Sequence, residues 1–377
     1  MEKTLGVGVI GCGNIAAAYL KLAPLFKGIE IRAVADIDKA AAEARAKEFG
    51  VTAQTVKELL SNDDIQIVIN LTVPSAHFKV SKQILEAGKH VYSEKPLTLS
   101  LADAKELQRI AKKNRLQVAA APDTFLGGAH QQARKAIDDG MIGKVASGTA
   151  HVMGHGMEHW HPNPDFFFKP GGGPILDMGP YYIANLINLI GPVKRVAALS
   201  GMARKTRLIS SEPRKGQKLS VKTPTTYHAL LEFANGALVT LSASWDVYAH
   251  RHKNMELYGT EGAMFVPDPN FFGGEVIVAG TDSIEKTLPP WEHPFGVNNH
   301  KSGQGEVANY RAAGLADMAQ AIIAKRDIRC GIDRMTHVVD VMTAILKSGE
   351  TGKFVSLKTT CARPKALGVE EAKALLK

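Results

Sequence analysis

The sequence predicts a two-domain α/β protein, with a parallel sheet in its first half and an open, largely antiparallel sheet in its second. In the first half, short β-branched runs alternate with helical patterns, which implies right-handed βαβ crossovers between parallel strands. In the second half, strong turn signals join neighbouring strands directly, which implies antiparallel pairing. The chain has 377 residues, more than one hydrophobic core usually serves.

The composition is that of an ordinary globular protein, with 45% hydrophobic and 22% charged residues. No apolar stretch reaches the roughly 18 residues of a membrane span. The first apolar run goes from Leu5 into Gly11 without the basic start of a signal peptide. Cys12, Cys330 and Cys361 are too far apart for a metal site or a disulfide framework. We therefore expect a cytoplasmic protein with no membrane partner.

The formal net charge of +9 raises the question of a nucleic-acid partner. Much of the excess lies in residues 194–222 and 359–377, where the basic residues are not interleaved with aromatic ones. We predict no nucleic-acid partner and interpret these segments as a solvated loop and a basic C-terminal tail. Attraction of an anionic ligand or a partner subunit is the alternative.

The first element is a β-branched run that ends in a glycine turn and continues into a helical pattern. This strand–turn–helix context gives a G-x-G-x-x-A motif its meaning: Gly11 permits the tight turn, Gly13 lets a pyrophosphate approach, and Ala16 allows close packing. The helix N-terminus stabilises the phosphate charge. We therefore predict a Rossmann dinucleotide site that includes Gly11, Gly13, Asn14 and Ile15.

The second strand, at 31–35, ends at Asp36. This is about 20 residues beyond the glycine turn, where an acidic residue hydrogen-bonds the adenosine ribose. A carboxylate there repels a 2′-phosphate, so NAD is favoured as the cofactor and NADP is less favoured. Lys39 leaves strict selectivity open.

The alternation continues to the end of the first half. Helical patterns cover residues 39–49, 56–60, 76–87 and 101–113, and strand patterns cover 65–71, 90–92 and 116–121. Ligands of open parallel sheets bind beyond the carboxyl ends of the strands. Thr72, Pro74 and His77 follow one such end, so we predict that they lie beside the cofactor, with His77 as a helix-start residue and not an acid–base group.

Glu94, Lys95 and Pro96 follow the next strand. Pro96 fixes its own φ and favours extended geometry at Lys95, so the ammonium is expected at the edge of the sheet where ligands bind. A solvated ion pair in a loop is the better interpretation of such a tripeptide in isolation. Beside a glycine turn and Asp36, we predict instead that Glu94 and Lys95 contact the cofactor.

The second half begins with a helical pattern at 129–138 and an extended one at 144–152, followed by a segment rich in histidine and aromatic residues. Dense histidines suggest a metal site, but glycine and proline interrupt any helix that would space them, so we predict no metal. A loop lining a substrate site is favoured. In that loop, Trp160 is expected to stack on a ring of the substrate, and His155 and His159 to bond its hydroxyls.

A helical pattern at 174–190 carries Asp177 and Tyr181, four residues apart and therefore on one face. A tyrosine that merely packs on an amphipathic helix is the alternative. With Lys95 nearby, the ammonium is expected to stabilise a phenolate, lower the pKa of Tyr181 and suit it to proton transfer. Asp123 and Thr124, after the last parallel strand, are expected beside the nicotinamide or the substrate.

The rest of the second half is interpreted as a meander with two supporting helices. Asn235-Gly236 joins the first two strands and is a strong hairpin signal. The predicted strands are 226–233, 237–245, 252–258, 263–266 and 275–279, and the predicted helices are 307–324 and 334–347. We place the dinucleotide domain at residues 1–123, the second domain at 124–358 and the basic tail at 359–377.

These motifs resemble one family in their order and spacing. The glycine turn, Asp36, the loop at 73–77, Glu94-Lys95-Pro96 and the glycine-rich turn before Asp177 are similar to those of the glucose–fructose oxidoreductase/inositol dehydrogenase/MocA (Gfo/Idh/MocA) family. The resemblance implies a second domain whose open, largely antiparallel sheet covers the nicotinamide. It also implies a homo-oligomer, a dimer or tetramer, and a catalytic lysine at Lys95. Tyr181 stands where most relatives have histidine.

The resemblance implies an NAD-dependent dehydrogenase that oxidises a secondary or hemiacetal hydroxyl of a cyclic sugar or polyol. Lys95 is then expected to assist proton removal, Tyr181 to share the proton relay, and Asp177 to orient the sugar. An NAD-dependent glycosidase of the same family is one alternative. A non-catalytic NAD-sensing regulator is another, although the retention of Lys95 and Asp177 argues against it.

Overall fold

A computed structural model describes residues 3–302 and 305–377 of the chain. Within these ranges, no helix is both long and apolar enough to cross a membrane. The strands form two large sheets, one in each half of the chain, and helices pack against both.

The first sheet is parallel throughout and has the strand order β3-β2-β1-β4-β5-β6. Its strands are β1 Leu5–Ile10, β2 Ile29–Ala35, β3 Thr52–Ala53, β4 Ile67–Asn70, β5 His90–Ser93 and β6 Val118–Ala120. The helices between them are α1 Asn14–Leu22, α2 Lys39–Phe49, α3 Val56–Ser61, α4 His77–Glu86 and α5 Leu101–Asn114. Every residue of β1 and β4 is buried, as expected for a parallel sheet covered on both faces.

Local capping signals account for several helix boundaries in this half. Asp38 accepts backbone hydrogen bonds at the start of α2, and Gly50 ends that helix in the left-handed region. The hydroxyl of Ser100 accepts from the amide of Asp103 at 3.1 Å, which fixes the start of α5 close behind Lys95. The loop that carries Lys95 is therefore short and anchored at both ends.

The second sheet has nine strands among the described residues, in the order β16-β15-β14-β13-β7-β12-β11-β8-β19. The strands of this half are β7 Val145–Met153, β8 Val193–Gly201, β9 Thr206–Leu208, β10 Lys218–Ser220, β11 Thr226–Phe233, β12 Leu238–Ser244, β13 Met255–Gly259, β14 Ala263–Val266, β15 Ile277–Ala279, β16 Glu285–Thr287, β17 His300–Ser302, β18 Gly305–Val307 and β19 Val355–Ser356. Strands β9 and β10 pair as a separate ribbon, and so do β17 and β18.

The pairing is largely antiparallel, as predicted, with one exception at the centre of the sheet. The hairpin of β11 and β12 turns at Asn235-Gly236, where the Asn235 side chain accepts from the amide of Ala237 at 3.0 Å. Strands β7 and β12, however, pair in parallel. Hairpins therefore do not account for the whole sheet, because β7 pairs with a strand that follows it only after a long excursion of the chain.

The helices of the second half are α6 Gly128–Asp138, α7 Pro174–Asp177, α8 Gly179–Leu189, α9 Ala313–Ala324, α10 Ile332–Thr351 and α11 Val369–Leu375. The continuous helix predicted at 174–190 is divided at Met178, and Pro180 lies in the first turn of α8, which begins at Gly179. The helix predicted at 307–324 begins six residues later, after β18.

The C-terminal segment, expected as a basic tail, contains α11 and packs on the first half of the chain. The amide of Lys27 donates to the carbonyl of Leu375 at 2.8 Å, and the amide of Lys377 donates to the carbonyl of Leu25 at 3.0 Å. Leu375 is buried. The last residues of the chain therefore contact the segment between α1 and β2. The domain boundaries stay predictions.

Two buried histidines are held in their neutral form by backbone groups. His337 accepts from the amide of Val193 through Nε2 at 3.0 Å, and its Nδ1 lies 2.9 Å from the hydroxyl of Thr359. His293 likewise accepts from the amide of Phe295 through Nδ1 at 3.2 Å. Protonation would set an N–H against an N–H in each case. Burial lowers the pKa of both His337 and His293 to about 4.

We expect the protein to lose stability steadily as the pH falls from about 6.5 to 4. In this window the unfolded chain binds protons at these histidines and the native chain does not, so each costs up to roughly 3 kcal/mol by pH 4. Urea unfolding at pH 7, 6 and 5 measures the slope. His337→Gln should make it shallower, whereas His300→Gln, at an exposed position, should not. An unchanged slope in His337→Gln contradicts the assignment.

Candidate functional site

The glycine turn after β1 has the geometry that a bound pyrophosphate requires. Gly11 has φ +104°, and a Cβ there would lie 2.6 Å from the carbonyl carbon of Leu71. Gly13, the residue before α1, has no atom within 4 Å of its missing Cβ. The turn is thus closed toward the protein at Gly11 and open toward solvent at Gly13, where Asn14 and Ile15 begin the helix.

Asp36 lies at the end of β2, beside the glycine turn. Its carboxylate accepts from the amide of Cys12 at 2.7 Å and from the amide of Asp38 at 2.9 Å. Arg45 of α2 reaches the same turn and donates to the carbonyls of Cys12 and Gly13, both at 3.3 Å. Arg45 was not among the predicted site residues, because nothing in the helical pattern around it marks its direction.

A cleft of about 590 Å³ runs along these residues at the carboxyl ends of the first strands. Its walls include the predicted Gly11, Gly13, Asp36 and Thr72. They also include two exposed apolar side chains, Val73 of the predicted 73–77 loop and Ile37, which was not predicted. An apolar slot beside a carboxylate and an open glycine turn fits the adenosine and pyrophosphate of a dinucleotide.

His77 lies beneath this cleft. Its Nδ1 is 2.7 Å from the carbonyl oxygen of Pro96, and its Nε2 is 2.9 Å from that of Thr72. Burial lowers the pKa of His77, and the two carbonyls oppose that effect. The ring is buried, so it joins the Thr72 loop to the Lys95 loop instead of facing the cleft. Pro74 begins the short turn that leads to it.

Lys95, Asp177 and Tyr181 come together between the two halves of the chain. The ammonium of Lys95 donates to a carboxylate oxygen and to the backbone carbonyl of Asp177, each at 2.8 Å. It lies 5.2 Å from the centroid of the Tyr181 ring. The Lys95 and Asp177 side chains stay 17% and 18% exposed, so a ligand can reach them. Lys95 lies 82 residues from Asp177 in the chain.

The electrostatic surroundings keep Lys95 charged. Burial acts to lower its pKa, but the carboxylate of Asp177, the phenol of Tyr181 and the carboxylate of Glu94 outweigh that effect and raise it. In this arrangement Lys95 is an ammonium at neutral pH. It can donate hydrogen bonds and stabilise negative charge, and it cannot serve as a base without first losing its proton.

Glu94 is turned away from the cleft, into a buried network behind Lys95. Its carboxylate accepts from the hydroxyl of Tyr19 at 2.9 Å, from the guanidinium of Arg311 at 3.3 Å and from the amide of Lys95 at 2.9 Å. The prediction that Glu94 contacts the cofactor has no support in these contacts. The carboxylate instead fixes the Lys95 backbone and holds a second cation nearby.

Arg311 is a site residue that sequence reasoning missed. It lies in the loop before α9, its side chain is 19% exposed, and it pairs with the carboxylate of Glu94 at 3.3 Å. Burial acts to lower the pKa of Arg311, and Tyr181 and Glu94 raise it. Tyr181 is thus within electrostatic reach of two cations, Lys95 and Arg311. No motif surrounds Arg311 in the sequence, and only the fold brings it to the site.

Asp123 and Thr124, predicted beside the nicotinamide or substrate, are buried. The Asp123 carboxylate accepts from the amides of Ala312 and Gly314 at 3.1 and 3.0 Å, at the start of α9. These contacts satisfy backbone donors that a helix N-terminus leaves unpaired. The structure thus gives Asp123 a structural contact, and Thr124 lies buried in the turn that follows it.

His155, His159 and Trp160 do lie together, in a separate pocket of about 320 Å³ beside α8. The rings of His155 and His159 are 4.0 Å apart, and Trp160 is 57% exposed. Across the part of the chain that the structure describes, no three His, Cys, Asp or Glu side chains are arranged to hold a metal ion.

Comparison with known proteins supplies the family. Residues 5–121 match the model of an oxidoreductase family with an NAD-binding Rossmann fold, and residues 130–265 match that of the GFO/IDH/MocA C-terminal domain. The chain belongs to the GFO/IDH/MocA oxidoreductase family. The family assignment, the α/β fold and the NAD-binding Rossmann domain were predicted from the sequence and are confirmed.

Curated relatives in the GFO/IDH/MocA family share less than a third of the aligned residues. The scyllo-inositol 2-dehydrogenase (NAD(+)) of Bacillus subtilis is 30% identical over 272 residues, which cover 71% of this chain and 75% of that one. An uncharacterised oxidoreductase of Schizosaccharomyces pombe, C115.03, is 30% identical over 177 residues. That alignment covers 44% of this chain and 47% of the relative, so the chain spans about half the length of this relative.

A solved structure of the same fold matches nearly the whole chain. Levoglucosan dehydrogenase in complex with NADH superposes on this chain with a TM-score of 0.80 and has 22% sequence identity to it. The match covers 95% of this chain and 100% of that one. At this identity the similarity shows the fold, and the roles of individual site residues stay predictions.

Proposed function

We propose that this chain is an NAD-dependent dehydrogenase that oxidises a secondary or hemiacetal hydroxyl of a cyclic sugar or polyol. The observation that carries the proposal is the meeting of Lys95, Asp177 and Tyr181 at a loop that His77 joins to Thr72 of the dinucleotide cleft. The names of two similar proteins, an inositol dehydrogenase and a levoglucosan dehydrogenase, support the substrate class.

The cofactor residues have separate roles in this proposal. Gly11 and Gly13 admit the pyrophosphate, the N-terminus of α1 stabilises its charge, and Asp36 accepts from the adenosine ribose. When bound, NAD supplies a nicotinamide ring that accepts a hydride. His77 joins the loop that bears Lys95 to the loop that bears Thr72. The position of Lys95 relative to the cofactor cleft is therefore fixed.

The reaction removes one hydride and one proton from the substrate carbinol. The Lys95 ammonium donates to the reacting oxygen and stabilises the negative charge that develops there. Tyr181 accepts the hydroxyl proton as it releases its own to water, and the C–H bond delivers the hydride, which leaves a carbonyl. Asp177 keeps Lys95 in position, and its carboxylate has further lone pairs for a neighbouring hydroxyl.

Net formation of NADH from a panel of neutral cyclic sugars and polyols tests the proposal. We expect turnover of at least one member that depends on NAD in stoichiometric amounts. Cleavage of a chromogenic glycoside with no net NADH would indicate a glycosidase instead. Tight NAD binding with no turnover of any panel member would indicate a regulator.

We expect Asp36→Asn to lower the ratio of kcat/KM for NAD to that for NADP at least tenfold. The amide oxygen can still accept from the Cys12 amide, but the charge that repels a 2′-phosphate is lost, and a hydrogen bond to a charged acceptor is worth about 1.5–3 kcal/mol. Initial rates with both cofactors measure the ratio. Asp63→Asn, at an exposed position after α3, is the control and should keep the wild-type ratio; a ratio equally unchanged in Asp36→Asn contradicts the role.

We also propose that the chain forms a homo-oligomer through the outward face of its second sheet. Leu199, Leu230 and Leu238 stand on that face and are 72%, 59% and 59% exposed. Adjacent exposed leucines on a sheet face are typical of a protein–protein contact. Light scattering during size exclusion gives the mass in solution, and a monomer at micromolar concentration contradicts the proposal.

A further inference from the structure

The pocket that contains Trp160 lies beside the Lys95 centre, and residues around the start of α8 contribute to both. Asp177 and Tyr181 face Lys95, whereas Met178 and Tyr182 line the pocket. The second pair follows the first by one residue, which is about 100° around a helix. The two sites are therefore neighbours around the start of α8.

The loop that forms one wall of the pocket connects it to the Lys95 centre. Residues 155–157 and 159–160 line the pocket. Burial lowers the pKa of His161, the next residue, and the carboxylate of Asp177 opposes that effect. Because Met178 follows Asp177 and Tyr182 follows Tyr181, a molecule held by Asp177 and Lys95 has the pocket wall beside it.

The pocket has apolar aromatic walls and a few polar groups, the usual composition of a ligand site. Trp160 stands exposed at one side, while Trp245 is buried on another. Asp268 adds a carboxylate, whose Oδ1 accepts from the amide of Asn270 at 3.0 Å and from the hydroxyl of Tyr182 at 3.3 Å.

Two buried residues of the pocket wall have a polar atom without a partner among the described residues. These atoms are Nε1 of Trp245 and Nδ1 of His151. Buried polar groups are almost always hydrogen-bonded, so two unused polar atoms in one wall make this pocket unusual, although neither atom is itself exposed to the pocket.

The charges around the pocket favour a neutral ligand. None of the described lining residues is lysine or arginine, and Asp268 would repel an anion. The buried cation behind the pocket, Arg207, already pairs with Glu158 and Asp246. Burial lowers the pKa of both His151 and His159, so these rings add no positive charge at neutral pH.

We infer that this pocket is a second substrate subsite, which holds a neutral hydroxylated ring attached to the ring oxidised at Lys95. The preferred substrate is then a neutral glycoside or disaccharide, not a free monosaccharide, a sugar phosphate or a nucleotide sugar. The inference rests on the proposed dehydrogenase function. Trp160 supplies a face for the second ring, and Asp268 accepts from its hydroxyls.

The test compares one-ring with two-ring substrates. We would measure NADH formation from glucose and galactose, and from cellobiose, maltose and lactose. At least one two-ring compound is expected to exceed its parent monosaccharide tenfold or more in kcat/KM. Turnover of monosaccharides with no such gain for any two-ring compound overturns the subsite and leaves the dehydrogenase proposal standing.

Variants of the pocket sharpen the comparison. Trp160→Ala and Asp268→Asn should each lower the two-ring to one-ring ratio of kcat/KM at least fivefold. Asparagine retains the Oδ1 acceptor, so the fold contacts of Asp268 are kept. Phe354→Ala, which removes an even more exposed aromatic side chain next to β19, should retain the wild-type ratio. Unchanged ratios in both pocket variants overturn the inference.

A binding measurement covers the case in which no sugar is oxidised. Calorimetric titration of the NAD-loaded protein with cellobiose, maltose, lactose and glucose reports the subsite without turnover. Tighter binding of a disaccharide than of glucose, weakened in Trp160→Ala, supports the subsite although the dehydrogenase proposal has failed. Equal or absent binding of all four sugars overturns it.

Discussion

Lys95→Met is expected to lower kcat about a thousandfold while NAD affinity stays within a few-fold of wild type. The ammonium is the cation proposed to stabilise the developing alkoxide directly, and removal of such a donor costs a factor of about 10²–10³. Methionine keeps the length and apolar packing of the lysine stem. Stopped-flow hydride transfer, with NAD binding followed by calorimetry, separates the two effects.

Lys105→Met is the matched control for this substitution. Lys105 is an exposed residue of α5, outside the cleft and the Lys95 centre, and its replacement should leave kcat and NAD affinity unchanged. Lys95→Arg should recover little activity, because a planar guanidinium does not reproduce the position of an ammonium. More than a tenth of wild-type turnover in Lys95→Met would remove the lysine from the reaction.

Glu94→Ala is expected to destabilise the protein by about 3–5 kcal/mol and to lower turnover as well. The change leaves the largely buried guanidinium of Arg311 without its carboxylate, and unpaired buried charges cost about this much. It also frees the Tyr19 hydroxyl and the Lys95 amide, which lose their acceptor. Urea unfolding measures the free energy, and steady-state rates in native buffer measure the turnover.

Two further substitutions make this prediction specific. Glu94→Gln retains an oxygen acceptor without the charge, so its loss of stability should be smaller than that of Glu94→Ala. Glu86→Ala, which removes an exposed carboxylate at the end of α4, should change stability by no more than about 0.5 kcal/mol. Equal effects at Glu94 and Glu86 would mean that the buried network contributes nothing.

The cofactor side of the site was predictable because its signals are local in the chain. Gly11 and Gly13 lie within one turn, between a strand and a helix that periodicity identifies. Asp36 follows at the end of the next strand. The parallel order of the first sheet then follows from the alternation of strands and helices.

The substrate side depended on contacts that no local pattern encodes. Asp177 and Tyr181 were found through their helical spacing, although the helix divides between them. Arg311 reaches the centre from the loop before α9, and Glu94 turns inward because Arg311 is there. The burial of Asp123 beneath the same helix has the same origin. Periodicity places a residue on an element, but only tertiary packing decides which loop meets it.

The return of the C-terminal segment to residues 25–27 has a consequence for how the molecule melts. The end of the chain is bound to the segment between α1 and β2 by two backbone hydrogen bonds, from Lys27 to Leu375 and from Lys377 to Leu25. Phe26 pairs with Leu376 between them. Because the two halves share these contacts, we expect them to unfold together, in one transition. Free energy gained when a coenzyme binds the first half is then available to the whole chain.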